Sequence, residues 1–322
     1  MKSASNIPRR GPSQLPTRQF GRHPDRVSII GLGGGHLSRK GVTDDIAERI
    51  IRTAVEQGVT FFDTSWDYGN GISELRYGRV LAEHRQDIFL MSKVCDRTRK
   101  GAMQQLHDSL RRLRTDYLDL WQFHEINYDN DPEWIFEPGG AIEAAEEAKN
   151  QGKIRYVGFT GHKSPHIFAD MLNTDYQWDA CQMPVSVFDS HYRSFTTSIL
   201  PTLTQRGIAC IGMKSLGGNG QFITDAGLTA QQARRYALSQ PITTLSCGTV
   251  RFDDILQDLD IAQGFTPMPQ EEQQALRDLV RRQARDGRHE WFKTSTYFDA
   301  PYHAQAHGFG NHLATPRSRD RR

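Results

Sequence analysis

Four side chains able to do chemistry stand at the ends of short apolar runs. Thr60-Phe61-Phe62 ends in Asp63, Met91-Ser92 in Lys93 and Trp121-Gln122-Phe123 in His124, while Tyr68 follows Asp63 by five residues. A lysine beside a phenol stabilises the phenolate and lowers the phenol from its usual pKa of about 10, and a carboxylate paired with that lysine keeps the cation oriented. The spacing therefore predicts Tyr68 as a proton donor near neutral pH. A histidine beside it donates a second hydrogen bond to a carbonyl oxygen and polarises the carbon toward a nucleophile such as hydride. Read singly, each residue has a plainer role: Asp63 and Lys93 a rim ion pair, His124 a satisfied strand-end histidine, Tyr68 a loop aromatic. Four rim positions with complementary roles are hard to obtain from packing alone, and together they describe the reduction of a carbonyl.

Such residues meet only if strands deliver them to one place. Apolar, β-rich runs recur over 27–32, 60–63, 88–93, 117–123, 155–159, 180–185, 208–213 and 243–247, and helical patterns fill 44–57, 73–83, 103–113, 141–151, 165–172, 195–205, 229–239 and 252–262. Strict alternation predicts a parallel sheet covered by helices, and eight units predict an α/β fold of the (β/α)8 TIM-barrel type, whose chemistry gathers where strands end. In helix 44–57, Ile46, Ile50, Ile51 and Ala54 share one side, Thr43 is the expected N-cap and Gly58 the stop. Gly31-Leu32-Gly33-Gly34-Gly35 follows the first strand as a dinucleotide fingerprint would, but His36 occupies the place of the third glycine, which excludes a Rossmann reading. One barrel domain is expected over 15–265, with a hairpin at 15–22 beneath it. A helix at 269–285 and an extended aromatic tail at 286–322 complete the C-terminal part, and 1–14 are expected to be disordered.

The chain has 322 residues, 37% of them hydrophobic, with 40 Lys and Arg against 38 Asp and Glu for a formal charge of +2. No body-wide field recruits nucleic acid or an anionic membrane, and no apolar run approaches the roughly 20 residues of a membrane span. Basic residues gather at the ends (Lys2, Arg9, Arg10, Arg18, Arg22 and Arg26; Arg317, Arg319, Arg321 and Arg322) and read as solvated, frayed termini. No apolar stretch follows Arg9 and Arg10, so export is not expected. Cys95, Cys181, Cys210 and Cys247 form no CxxC pair, which fits a reducing cytoplasm without a metal centre. His303 and His307 are four apart, but Pro301 and nearby glycines argue against the helix that would aim both at a metal.

At this point the sequence resembles the aldo-keto reductase superfamily, in the manner of its bacterial oxidoreductases. The likeness rests on Gly58-Val59-Thr60-Phe61-Phe62-Asp63-Thr64 with Tyr68-Gly69, on Ser92-Lys93, and on Leu110-Arg111-Arg112-Leu113 followed by Asp116-Tyr117-Leu118-Asp119-Leu120 and His124. It implies a barrel, a nicotinamide cofactor and a catalytic tetrad of Asp63, Tyr68, Lys93 and His124. The family's iron–sulfur subgroup has a C-terminal cysteine cluster that this chain lacks.

The resemblance also implies where NADP(H) or NAD(H) would lie. Gly158-Phe159-Thr160-Gly161 is similar to the segment whose Ser-Asn pair holds the nicotinamide amide, here Thr160 with Gly161 in place of Asn, and Gln182 shares that task. Met213 stands where many members stack a tyrosine on the ring, and a thioether also covers a ring face. Gly212 to Gly218 is similar to the pyrophosphate loop, giving Lys214, Leu216 and Gly217 as contacts; Gly34, Asp63, Thr249 and Asp258 complete the implied set. At the adenosine end Gly248 and Asp254 fall where the family has a Lys and an Arg, leaving Arg251 beside Asp253 and Asp254. NADPH and NADH both remain open.

For a substrate pocket the sequence offers Trp66, Tyr128, Trp134, Phe188 and Tyr192 on βα loops. The expected partner is a small carbonyl compound; the oligomeric state is not legible. Two other readings compete: a Schiff-base aldolase with Lys93 as nucleophile, and a non-catalytic, cofactor-binding regulatory subunit.

Overall fold

In a computed structural model that describes residues 15–218, 220–294 and 305–308, eight parallel strands close into a barrel. Strands β1 (Thr17–Gln19) and β2 (Arg26–Ser28) form an antiparallel hairpin. The barrel strands are β3 (Ile30–Gly33), β4 (Phe61–Asp63), β5 (Phe89–Val94), β6 (Leu118–Phe123), β7 (Ile154–Thr160), β8 (Ala180–Pro184), β9 (Ala209–Met213) and β10 (Thr244–Gly248). Closure comes from β10, which pairs with both β3 and β9. The N-terminal 1–14, His303 and the end of the tail lie outside the described residues.

The expected first strand is in fact two. Val27 belongs to the hairpin, and the chain jogs at Ser28, whose hydroxyl donates to Ile30 O at 2.6 Å and accepts from Thr60 N at 3.0 Å. The hairpin thus reaches from Thr17 to Ser28 rather than ending at Arg22, and it plugs the barrel floor by packing Phe20 and Val27 against Phe61, Phe89 and Met91. Two arginines expected in a frayed terminus hold it there. Arg18 donates to Leu238 O and Ile242 O, both at 2.7 Å, and Arg22 donates to Trp178 O at 2.8 Å and pairs with Asp179 at 2.9 Å.

The helices follow the sequence pattern, with informative departures. Helix Asp44–Glu56 is capped by Thr43, which accepts from Ile46 N at 3.3 Å, and Gly58 takes φ +87° just beyond it. Its buried face is Ala47, Ile50, Ile51 and Ala54, whereas Ile46 is 39% exposed. The expected helix 195–205 is broken into Phe195–Ser198 and Leu200–Arg206. Pro201 lies in the first turn of the second piece, and without an N–H it cannot extend the first. The tail is not simply extended, since Trp291–Thr294 forms a short helix after Gln270–Ala284. Short helices at Asp131–Phe136 and Gln221–Asp225, in loops above the mouth, carry no strong sequence signal. Among the described residues, no helix is long and apolar enough to cross a membrane.

The hairpin turn needs glycine. Gly21 has φ +56°, and a Cβ there would lie 2.5 Å from Gly207 O and 2.6 Å from Ala209 N, both backbone atoms at the start of β9. Gly21→Ala is expected to lift the plug and destabilise the protein by about 2 kcal/mol, lowering the thermal midpoint by roughly 3 °C in a melt followed by circular dichroism. An unchanged midpoint would show that the floor does not depend on this contact.

Candidate active site

The parallel register brings the chemical residues level. Asp63 ends β4 opposite Gly33 and Met91, Lys93 lies in β5 opposite Gln122, and His124 follows the last residue of β6. Lys93 Nζ donates to Asp63 Oδ1, to Thr64 O at 2.7 Å and to Tyr68 Oη at 3.1 Å. Its three protons are all committed and the side chain is buried, a poor state for a nucleophilic amine. Asp63 Oδ2 accepts from Gln182 Nε2 at 2.7 Å and Ser246 Oγ at 2.5 Å. The Tyr68 and His124 rings meet edge to face at 5.5 Å. Contrary to the expectation of a lowered phenol, burial and the carboxylates of Asp63 and Asp67 push the Tyr68 hydroxyl well above its ordinary value. Tyr68 keeps its proton and is a weak acid.

A second hydrogen-bonded cluster surrounds His124. Its Nδ1 lies 3.1 Å from Ser65 Oγ, 3.1 Å from Asp67 Oδ1 and 3.7 Å from Cys95 Sγ, and Ser65 Oγ donates to Asp67 Oδ1. Burial raises the Asp67 carboxyl, but the facing His124 ring and the Ser65 hydroxyl outweigh it and hold the group well below the usual carboxylate range. Burial, with Asp67 and Glu125 nearby, pushes the Cys95 thiol up, so it stays protonated. Arg97 fixes the backbone by donating to His124 O at 2.7 Å. Neither Asp67 nor Ser65 is marked by the sequence reading, although both lie in the loop between Asp63 and Tyr68.

Above these residues opens a cleft of about 690 Å³, bounded on one side by Gly34, Asp63, Tyr68 and His124 and on the other by Lys214 and Trp291. Thr160 and Gln182 are neighbours across β7 and β8 on its floor, and Gln182 Oε1 is buried without a hydrogen-bond partner. That oxygen is placed to accept from a carboxamide N–H. At Gly161 the space for a side chain is taken: a Cβ there would lie 2.8 Å from Ile126 O. Met213, Leu216, Gly217, Arg251 and Asp258 also line the cleft, whereas Thr249 is fully buried. None of the five loop aromatics does. Trp66 donates to Asp108 at 3.3 Å, Phe188 stacks on Phe222 at 4.1 Å, Tyr128 and Trp134 lie against each other, and Tyr192 offers its carbonyl to Lys293 at 2.9 Å. The aromatic wall is instead Trp291, against Gly218. Its helix is locked by Lys293, buried between Asp189 at 2.7 Å and Glu290 at 2.8 Å.

Comparison with known proteins agrees with this geometry. Residues 29–285 match the model of the aldo/keto reductase family. The chain belongs to that family. It is 30% identical over 224 residues to an L-galactose dehydrogenase of Arabidopsis thaliana, covering 63% of this chain and 66% of that protein. A 6-dehydroglucose reductase of Novosphingobium aromaticivorans is 29% identical over 168 residues, 47% of this chain and 53% of its own. These matches span between about half and just under two thirds of the relatives' lengths. Among solved structures, the holo form of an aldo-keto reductase from Bacillus halodurans superposes with a TM-score of 0.69 at 24% identity, covering 83% of this chain and 96% of that one.

The end of the cleft at which the sequence suggested phosphate binding departs from that expectation. Arg251 is not a free cation: it pairs with Asp254 at 2.8 Å, and the Asp254 carboxylate also caps the helix by accepting from Arg251 N at 2.9 Å. Three cationic residues, Arg39, Lys214 and Arg234, line the same cleft, and Arg234 is held by Asp258 at 2.9 Å and Ser215 at 2.8 Å. A Cβ at position 248 would lie 2.2 Å from His36 Nδ1, so His36 fills the space a side chain there would need. Burial, then Arg39 and Lys214, lower His36 to about 4 and keep it neutral. Only the odd placement of His36 after the glycines could have signalled this exchange.

Lys214, with φ +56°, is lowered to about 8, first by burial and further by Arg39 and Lys93 against the opposing pull of Glu125. In the free protein it loses its proton as pH rises through about 8, and a pyrophosphate favours the charged form. Affinity for NADPH, measured by fluorescence titration, is therefore expected to fall as pH rises from 7 to 9.5, with proton uptake on binding near pH 8.5. Lys214→Met should bind more weakly with a flatter profile. A flat wild-type profile would remove Lys214 from the phosphate site.

Proposed function

We propose that this chain reduces aldehyde or ketone carbonyls, or oxidises the corresponding alcohols, with NADPH or NADH. The observation that carries the reading is the hydrogen-bonded line from Asp63 through Lys93 to the Tyr68 hydroxyl, ending beside His124 at the rim of the cleft. When bound, the dihydronicotinamide supplies a hydride to the carbonyl carbon. Thr160 and the unpartnered Gln182 Oε1 would hold its carboxamide, Met213 would cover the ring, and Lys214, Leu216 and Gly217 would meet the pyrophosphate. The chain's own residues receive the carbonyl oxygen, and Tyr68, which keeps its proton, donates to it as charge develops.

The competing readings lack this support. A Schiff base needs an unprotonated amine, whereas Lys93 is a buried cation paired with Asp63. A purely regulatory subunit would have no use for a tetrad facing an open cleft. Relatives named for galactose and dehydroglucose, together with a cleft wall rich in Asp, Glu, Lys and Arg, favour a small polar, sugar-like carbonyl over a nucleic acid or a lipid. Four free, buried thiols suit a reducing cytoplasm.

Two experiments test the proposal. Tyr68→Phe should lower the rate of carbonyl reduction, followed by loss of nicotinamide absorbance, by roughly 10²-fold or more while cofactor binding survives. Unchanged turnover would sink the assignment. At the adenosine end, with Arg251 77% exposed and already paired with Asp254, selection for the 2′-phosphate should be modest. Arg251→Ala is expected to raise the dissociation constant for NADPH and leave that for NADH nearly unchanged. A wild-type preference above about a thousandfold, equivalent to roughly 4 kcal/mol, would place another cation on that phosphate.

A further inference from the structure

Asp67 is a partly buried carboxylate, its side chain 10% exposed, that the line from Asp63 to Tyr68 does not use. It lies on the loop after β4, one residue before the phenol, and faces the ring of His124 across the mouth. The atoms around Nδ1 assign its proton. Ser65 has one hydroxyl proton and donates it to Asp67 Oδ1, so both Ser65 Oγ, at 3.1 Å, and Asp67 Oδ1, at 3.1 Å, meet Nδ1 as acceptors. Two acceptors at one ring nitrogen require that nitrogen to carry hydrogen. A neutral His124 in this site therefore has its proton on Nδ1 and a bare lone pair on Nε2, the nitrogen left to the cleft.

That tautomer conflicts with the simple role expected of His124. A bare Nε2 repels a carbonyl oxygen; only the doubly protonated ring can donate to it. Asp67, a carboxylate 3.1 Å from Nδ1, is the partner for the charge of such a ring. We propose that Asp67, oriented by Ser65, is a positioning residue that fixes the Nδ1–H form of His124 and sustains the imidazolium, so that Nε2–H, together with Tyr68, delivers the proton. The inference rests on the reductase reading and deepens it. As hydride reaches the carbonyl carbon, the C=O π pair moves to oxygen. The oxygen takes the Nε2 proton, and His124 is left neutral with Nδ1–H on Asp67 until solvent returns the proton. The weak acidity of Tyr68 makes this second donor consequential.

The charged and titratable groups around His124 all bear on the argument. Asp67 and Tyr68 come from the loop after β4, Cys95 from the end of β5, and Lys93, Asp63 and Glu125 share the mouth; His307 stands 3.9 Å from Glu125 on its outer side. Among these, Asp67 is the carboxylate in contact with Nδ1.

The test has two readouts. In protein labelled with ¹⁵N-histidine and free of cofactor, long-range ¹H–¹⁵N spectra, with His124→Gln for assignment, should show His124 with Nδ1 protonated across the titration. In Asp67→Asn the amide can donate to Nδ1, and the proton should move to Nε2. A wild-type ring with bare Nδ1 would overturn the proposal whether or not any variant folds. In steady state, Asp67→Asn should retain KM for the cofactor while kcat for carbonyl reduction at pH 8 falls about tenfold or more. The pH at which activity is lost on the alkaline side should also move lower. Ser65→Ala should do the same more weakly. A pH profile unchanged in Asp67→Asn would overturn the pairing even if Tyr68→Phe is inactive, whereas a wild-type protein that reduces no carbonyl compound with NADPH or NADH would overturn the reductase reading whatever the ring nitrogens show.

Discussion

The mouth of this barrel is organised around the charge of Asp63. One buried carboxylate accepts from Lys93 of β5, Gln182 of β8 and Ser246 of β10, while its own strand is β4 and its backbone carbonyl accepts from Gly34 N, just past β3, at 2.7 Å. Five of the eight strands thus converge on one residue. A buried ion of this kind is tolerated only when its lone pairs are satisfied, and removing one partner from such a network typically costs about 3–5 kcal/mol. The arrangement of Tyr68, the committed amine of Lys93 and the orientation of Gln182 all follow from it. If Asp63 lost its charge, Lys93 would be an unpaired buried cation and Gln182 free to turn its amide.

Much of the barrel was legible because its signals are local. Apolar runs located the barrel strands, three of them with a polar residue at or just past the end, at Asp63, Lys93 and His124, and Thr43 and Gly58 bounded a helix from their own chemistry. What escaped was set by distant contacts. Val27 looks like the start of a strand, yet the Ser28 hydroxyl, bridged to Ile30 and Thr60, turns the chain there. Ile46 fits an apolar stripe, but the helix is rotated so that Ala47 is buried in its place. Arg18 and Arg22 look like solvated charges until the carbonyls of Leu238, Ile242 and Trp178 are placed beneath the barrel.

The site shows the same division. The tetrad residue types were readable from strand ends and one five-residue spacing, whereas their electrostatics were not. A lysine near a phenol suggested a lowered phenol, but depth in the barrel and two carboxylates reverse that direction. Likewise, Gly248 and Gly161 read as losses of ligand side chains, yet His36 and the Ile126 backbone occupy the space those side chains would need. The space at each glycine is therefore filled from elsewhere in the chain, which single positions cannot reveal.

The cleft has walls of two different origins. One is built from barrel strands and the loop that carries Tyr68; the other is Trp291, held by Lys293 between Asp189 and Glu290, in a segment beyond the last barrel helix. The two sides are thus separately variable. Changes that redraw the second wall need not pass through the interlocked strands, so the shape of the cleft can diverge at that wall while the network centred on Asp63 stays fixed.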